Sequence, residues 1–149
     1  MQTTNNHSLK TLAKSILTKL ENQQIITNDP KKRTELYDEF QKELSRWMLT
    51  DEDLTQMVRS QVTENSDKLS EQNLSETEAF QSQKRALRQK FEENAVQGFY
   101  LKTSLRDVCK GINKFLLSNP LIEDVFETDE VIERFLLETI QKFDESKMS

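Results

Sequence analysis

The feature that most narrows the fold is an internal echo. Residues 9–47 lie without a gap on residues 105–143, a shift of 96 positions, and eleven hydrophobic positions coincide where unrelated patterns would give about six. The pairs are Leu9/Leu105, Leu12/Val108, Ala13/Cys109, Ile16/Ile112, Leu20/Leu116, Ile25/Leu121, Ile26/Ile122, Leu36/Ile132, Phe40/Leu136, Leu44/Ile140 and Trp47/Phe143. Lys14 also meets Lys110, and the phase survives the break between helices. The register predicts a duplicated unit, one copy near each end of the chain.

Each copy has the same plan. Leu9, Leu12, Ala13, Ile16 and Leu20 recur at three- and four-residue spacing, as do Leu105, Val108, Cys109, Ile112 and Leu116, so each set forms one face of a helix. Ser104 and Asp107 form an N-cap pair ahead of the second of these helices. A break follows at ENQQ in the first copy and at SNP in the second, where Pro120 cannot continue a helix. Ile25-Ile26 and Leu121-Ile122 then read as short extended links. Asp29-Pro30 supplies an N-cap with proline at the first helical position, ahead of Leu36, Phe40, Leu44 and Trp47; Ile132, Leu136, Ile140 and Phe143 repeat that spacing.

The middle of the chain has other habits. Thr50 to Asp53 caps a short helix with the apolar face Leu54, Met57, Val58 and Val62. From Asn65 to Ser75 the chain is polar, with only Leu69 and Leu74 to bury, and reads as a loop or weak helix. Ser75 and Glu78 form a capping box before a helix carrying Phe80, Leu87 and Phe91, with Gly98 as its C-terminal glycine.

The expected fold is all-α, with about six helices arranged as two similar helix-link-helix units flanking a central helical pair. The expected order is a flexible tail 1–8, a first helical repeat 9–49, a central helical segment 50–98 with polar loop 65–75, a second helical repeat 99–144 and a flexible tail 145–149. Composition agrees. Two glycines and two prolines cannot build the many tight turns of a sandwich or barrel. Leucine, isoleucine, valine and phenylalanine make up roughly a quarter of the chain, above the fraction of about 20% below which disorder is expected.

The same composition excludes much chemistry. One histidine and one cysteine rule out His-rich and thiol-rich metal sites. His7, in the expected tail, has no carboxylate at the Glu-x-x-His spacing of a di-iron bundle and makes a poor member of a catalytic triad. Gly98 and Gly111 stand too far apart for a phosphate-cradling loop, and the acidic run EDVFETDE lacks the central glycine of a calcium loop. Glu35, Glu39 and Glu43 share a helix face at four-residue spacing and read as a solvated face rather than an acid–base pair. No catalytic, cofactor-binding or metal-binding residue is expected, and no enzyme.

Net charge is −5 with a pI near 5.1, and the opposite charges are interspersed, so a non-specific grip on nucleic acid or anionic membrane is not the expected property. Cys109 has no partner for an intramolecular disulfide, the opening MQTTNNHSLK lacks an apolar signal region, and no apolar stretch approaches the roughly 20 residues that span a bilayer. A soluble, cytoplasmic protein is expected.

Surface contact remains as the working expectation: a non-enzymatic protein that binds another protein. Trp47 and Phe143, at equivalent positions, read either as core or as exposed anchors, tryptophan being a common interface hot spot. Phe99 and Tyr100 are further candidate contacts. Cys109, on the buried face opposite Ala13, reads as a structural thiol. Lys31, Lys32 and Arg33 follow Pro30 in the first turn of a helix, where the macrodipole disfavours cations by roughly 0.3 kcal/mol or more each. That conflict marks either a solvated end or a contact for an acidic partner or phosphate. The second copy has Glu127, Thr128 and Asp129 there, so the two ends differ in sign. Lys84, Arg85, Arg88 and Lys90 form a basic stripe, either balanced by Glu92 and Glu93 or serving as a nucleic-acid contact. The alternative expectation is therefore nucleic-acid binding through residues 31–33 and 84–90, with the helix-link-helix presented like a helix-turn-helix.

The run LKTLAKSILTKLENQQIITNDPKKRTELYDEFQKEL, its partner LIEDVFETDEVIERFLLETIQKF and their placement near the two ends resemble a bacterial helical family known only as domain of unknown function 507. The resemblance covers roughly Leu9 to Phe143. It implies a bacterial cytosolic origin and an all-helical fold; it implies no activity and no functional residues.

Overall fold

A computed structural model describes residues 7–64 and 75–144. The expected tails at 1–6 and 145–149, and the polar stretch from Asn65 through Leu69 to Leu74, lie outside the described residues. Helix α1 (His7–Asn22) already begins at His7, so residues 7 and 8, expected in the flexible tail, are helical. The class is all-α, with six helices among the described residues and two very small sheets.

In the first unit α1 ends in a Schellman motif: the Ile25 amide donates to the Leu20 carbonyl at 2.9 Å, and the Gln24 amide to that of Glu21 at 3.0 Å. Gln24 takes the left-handed conformation, φ 60°, that glycine more often supplies. The chain then runs through strand β1 (Ile26–Asn28) and a 3₁₀ turn (Pro30–Lys32) into α2 (Arg33–Trp47). Asp29 caps that turn, accepting from the Lys31 amide at 2.9 Å. Proline follows as expected, although the first turn is 3₁₀ rather than α.

In the second unit Ser104 caps α5 (Leu105–Ser118), accepting from the Asp107 amide at 3.2 Å. Strand β5 (Ile122–Val125) follows, and Thr128 caps α6 (Asp129–Gln141). Where loosely extended links are expected, β1 and β5 pair antiparallel, with Ile26 opposite Val125 and Asn28 opposite Ile122 across a bulge. Pairing gives the extended backbone the partners that helices find within themselves.

The helix packing is reciprocal. Each unit's two helices pack on one another, α1 on α2 and α5 on α6; across the units α1 meets α6 and α2 meets α5. In both cases the first helix of one unit thus lies on the second helix of the other. The apolar stripes meet in one core. Leu12 and Val108, Ala13 and Cys109, Ile16 and Ile112, Leu20 and Leu116, Leu36 and Ile132, Phe40 and Leu136, and Leu44 and Ile140 are all buried there.

The central segment stands aside. Helices α3 (Asp51–Glu64) and α4 (Glu76–Phe91) pair around a small separate cluster of Val58, Val62 and Ala79, covered by Phe80 and Leu87. Thr50 and Asp53 cap α3 reciprocally: the Asp53 carboxylate accepts from the Thr50 amide at 2.9 Å, and the Asp53 amide donates to the Thr50 hydroxyl at 3.2 Å. Strands β2 (Met48–Leu49), β3 (Ala95–Val96) and β4 (Phe99–Leu101) form a three-stranded sheet in the order β2-β4-β3. This sheet crosses the expected boundaries at 49/50 and 98/99 and binds the central pair to both units.

Gly98 is not the cap of α4, which ends at Phe91. Gln97 and Gly98, with φ 49° and 87°, instead form the two-residue turn between β3 and β4, a type I′ geometry that needs positive φ at both positions. The same glycine signal serves both structures, and the following Phe99-Tyr100-Leu101 strand decides between them.

The shared core sets an expected outcome. Ile16→Ala and Ile112→Ala each remove a side chain with no exposed surface and should each destabilise by about 2–5 kcal/mol, measured by urea unfolding. Met57→Ala, on the outside of α3, should stay within about 0.5 kcal/mol.

Candidate interaction surface

The side chain that best combines exposure with a fixed orientation is Trp47, the last residue of α2. It packs against the core but remains half-buried. Its ring lies against Gly111 in the middle of α5, where an added Cβ would stand 2.2 Å from Cζ2 and 2.6 Å from Cε2 of the indole. A glycine inside a helix costs about 1 kcal/mol relative to alanine. Here the missing side chain is the space the indole occupies. Trp47 Nε1 donates to Glu43 Oε2 at 2.8 Å, and Arg46 Nη1 reaches Glu43 Oε1 at 3.3 Å.

Trp47 lines an open groove of about 650 Å³ between α2 and α5, with Glu43, Arg46, Lys110, Lys114, Phe115 and Ser118 among its walls. The groove runs from Thr103, just ahead of α5, along that helix to Ser118. Its carboxylates are engaged, Glu43 by Trp47 and Arg46, and Asp107 by Thr103 Oγ1 at 3.3 Å. Lys110 and Lys114 are exposed and make no ion pair among the described residues. Together with Arg106 they form a basic line at four-residue spacing along α5, which is not apparent in linear order because Asp107 and neutral residues separate the three cations.

The three glutamates of α2 do not form the solvated face expected. Glu35 is exposed, but Glu39 is half-buried and accepts from Asn119 Nδ2 at 2.9 Å, and Glu43 is 8% exposed. The face that carries Glu39 and Glu43 turns toward the second unit; Glu39 takes its donor there, whereas Glu43 is held by Trp47 and Arg46 of its own helix.

Phe99 is not a contact residue. It is 1% exposed, with its ring 5.7 Å from that of Phe143, because strand alternation turns Phe99 and Leu101 inward on either side of half-buried Tyr100. Phe143 is core as well, so the equivalent positions 47 and 143 have different environments.

Lys31, Lys32 and Arg33 are all exposed at one end of the first unit. The Arg33 guanidinium pairs with Glu21 and lies over the Tyr37 ring. In the basic stripe of α4, Lys84 and Arg88 both reach the Asp51 carboxylate, at 3.0 and 3.2 Å, and Lys90 lies over Phe91, while Arg85 is exposed. The Lys84 hydrogen bond is the main reason the Asp51 carboxyl titrates below its usual range, against the opposing effect of partial burial. The stripe therefore fastens α4 to the start of α3.

Two further clefts correspond residue by residue. One, between α1 and α2, is lined by Lys10, Lys14, Thr34, Tyr37, Asp38 and Gln41. The other, between α5 and α6, is lined by Arg106, Lys110, Glu130, Glu133, Arg134 and Leu137, with Cys109 as an addition. A shift of 96 carries each residue of the first onto one of the second. Burial, with a smaller contribution from the Glu133 charge, pushes the Cys109 thiol up to about 12, so it is no thiolate at neutral pH. Among the described residues no group of three or more His, Cys, Asp or Glu is placed to hold a metal ion.

Two outcomes follow from this geometry. Gly111→Ala should destabilise by about 1–3 kcal/mol through overpacking, despite alanine's better helix propensity. Trp47→Leu should relieve that effect in a double-mutant cycle followed by urea unfolding. Cys109 should resist alkylation at pH 7–8 in the folded protein and react on denaturation. Because its folded pKa is raised, its ionisation leaves stability intact at neutral pH and lowers it as pH climbs from the ordinary thiol range toward about 12.

Comparison with known proteins gives one positive finding. No curated protein matches the chain, and no solved structure matches it. The family described as "Protein of unknown function (DUF507)" matches over residues 1–149, so this chain belongs to that family.

Proposed function

We propose that the chain is a non-enzymatic interaction protein whose Trp47 groove receives an acid-bearing segment of another protein. The observation that carries this reading is the pairing of a preorganised aromatic with uncompensated cations. Trp47 is held by Gly111 beneath it and by Glu43 at its Nε1, and Lys110 and Lys114 stand alongside without carboxylate partners among the described residues. A fixed aromatic loses little side-chain freedom on binding, which is why such residues dominate interface energetics.

The same reading takes the two end units as products of internal duplication. Its support is the reciprocal helix packing and the residue-by-residue match of the two lateral clefts. A reducing cytoplasmic setting in a bacterium fits a lone, deeply buried thiol and the family resemblance. No helix of the described residues is long and apolar enough to cross a membrane.

Nucleic-acid binding is the second reading, favoured by exposed Lys31, Lys32 and Arg85. It is weakened by the carboxylates that already hold Arg33, Lys84 and Arg88. Absence of affinity for duplex or single-stranded substrates at low salt removes it.

The interaction reading is tested by a photo-crosslinker at position 114, in the groove, compared with one at position 60 on the outside of α3. A discrete protein adduct is expected only from position 114. With the purified partner, Trp47→Ala should weaken binding at least about tenfold, and Lys110→Glu with Lys114→Glu should weaken it further at low salt than at high. Unchanged affinity in both variants sinks the proposal.

A further inference from the structure

Positions 47 and 143 are equivalent in the 96-residue register, each an aromatic at or just beyond the end of its unit's second helix, yet only one is covered. The Phe143 ring lies against Phe99 of β4, with centroids 5.7 Å apart, and is 4% exposed. The β3–β4 hairpin is fastened there by Gln97, whose Nε2 donates to the Gln141 carbonyl at 2.6 Å at the end of α6. What closes this position is an aromatic side chain carried on an extended strand.

Among the described residues one such hairpin serves two such positions. Where β4 passes Trp47 it meets the backbone instead: the Lys102 amide donates to the Trp47 carbonyl at 2.8 Å, while Leu101, paired with Met48, turns into the core. The chain then leaves the sheet at Thr103, which lines the Trp47 groove. The indole stays half-buried. Half-buried Phe115 lines the same groove one helical turn beyond Gly111, its ring set 5.6 Å from that of Phe40, so fixed aromatic surface continues along the floor.

We propose, resting on the reading of the groove as a protein-binding site, that the segment it receives is extended and carries an aromatic side chain. That side chain packs on Trp47 and Phe115 as Phe99 packs on Phe143. Aromatic pairs are worth more than the area they bury, which favours an aromatic anchor over an aliphatic one. Strand alternation lets one side chain enter the groove while its neighbours turn outward, leaving carboxylates free to meet the exposed Lys110 and Lys114. In a second copy of the chain Phe126, 60% exposed and followed by Glu127, has suitable chemistry. Its amide, however, already donates to the Ile25 carbonyl at 2.8 Å at the end of the β1–β5 ribbon, so that stretch is not free to lie along a groove.

Trp47 is the only tryptophan of the chain, so its emission reports directly on the groove. The full chain is titrated, in about 0.05 M salt, with a synthetic peptide of glutamate and glycine around one phenylalanine, and with the same peptide carrying leucine instead. The phenylalanine peptide should shift the emission to the blue and bind at least about tenfold more tightly than the leucine peptide. A proline beside the phenylalanine, which forbids a helix, should leave its affinity within about threefold. Followed by anisotropy of the labelled peptide, Trp47→Leu should weaken binding at least about tenfold and Trp47→Phe less than about threefold, with circular dichroism unchanged in both. Equal affinity for the two peptides, both lost in Trp47→Leu, overturns the aromatic anchor while the groove remains a protein-binding site. Loss of binding on adding proline overturns the extended form. A phenylalanine peptide that fails to bind overturns the proposal too, and a discrete crosslinked adduct at position 114 then leaves the broader reading standing. Self-association of the unaltered chain that Phe126→Ser abolishes also overturns it, since it assigns the groove to a second copy.

Discussion

Everything else in this molecule rests on the mutual burial of four apolar helix stripes. A pair of helices such as α1 and α2 covers only part of its own leucines and isoleucines, and each large side chain left in water forgoes about 1.5–3 kcal/mol. The reciprocal meeting of α1 with α6 and α2 with α5 closes that deficit for both units at once. Ile16 and Ile112 then have no exposed surface. The β1–β5 ribbon ties the two links together, so neither unit can turn relative to the other without breaking backbone hydrogen bonds.

Within that frame, similar units carry dissimilar surfaces. Position 47 is a half-buried tryptophan over Gly111, whereas position 143 is a phenylalanine packed on Phe99. One end of the first unit is basic with a polar ion pair; the matching end of the second is apolar and acidic. A core tolerates only substitutions that keep volume and polarity, while a surface is free to diverge. The differences therefore collect on the surface.

Helix faces were legible in the sequence because burial imposes a period that survives any change of neighbour. Leu9, Leu12, Ala13, Ile16 and Leu20 could be assigned to one face without knowing what covers it. Caps were legible for a similar reason: Ser75 and Ser104 each bond an amide three residues ahead. The candidate site was only partly legible. Trp47 stood out in the sequence, but its seat depends on Gly111, 64 positions away. The line Arg106, Lys110 and Lys114 appears only once the helix is wound and Asp107 turns to Thr103. Phe126 lies in a short acidic stretch whose apolar letters give no sign of which face meets water.

The amino-acid sequence by itself determined the helical class, the four stripes that must be covered and the positions where helices start, because these follow from interactions within a few residues of one another. Tertiary structure alone decided which stripe covers which, that the links pair as strands, that Gly98 turns a hairpin rather than ending a helix, and that Glu43 is buried while Phe126 is not. Those outcomes depend on contacts between residues distant along the chain, and no local pattern specifies the partner.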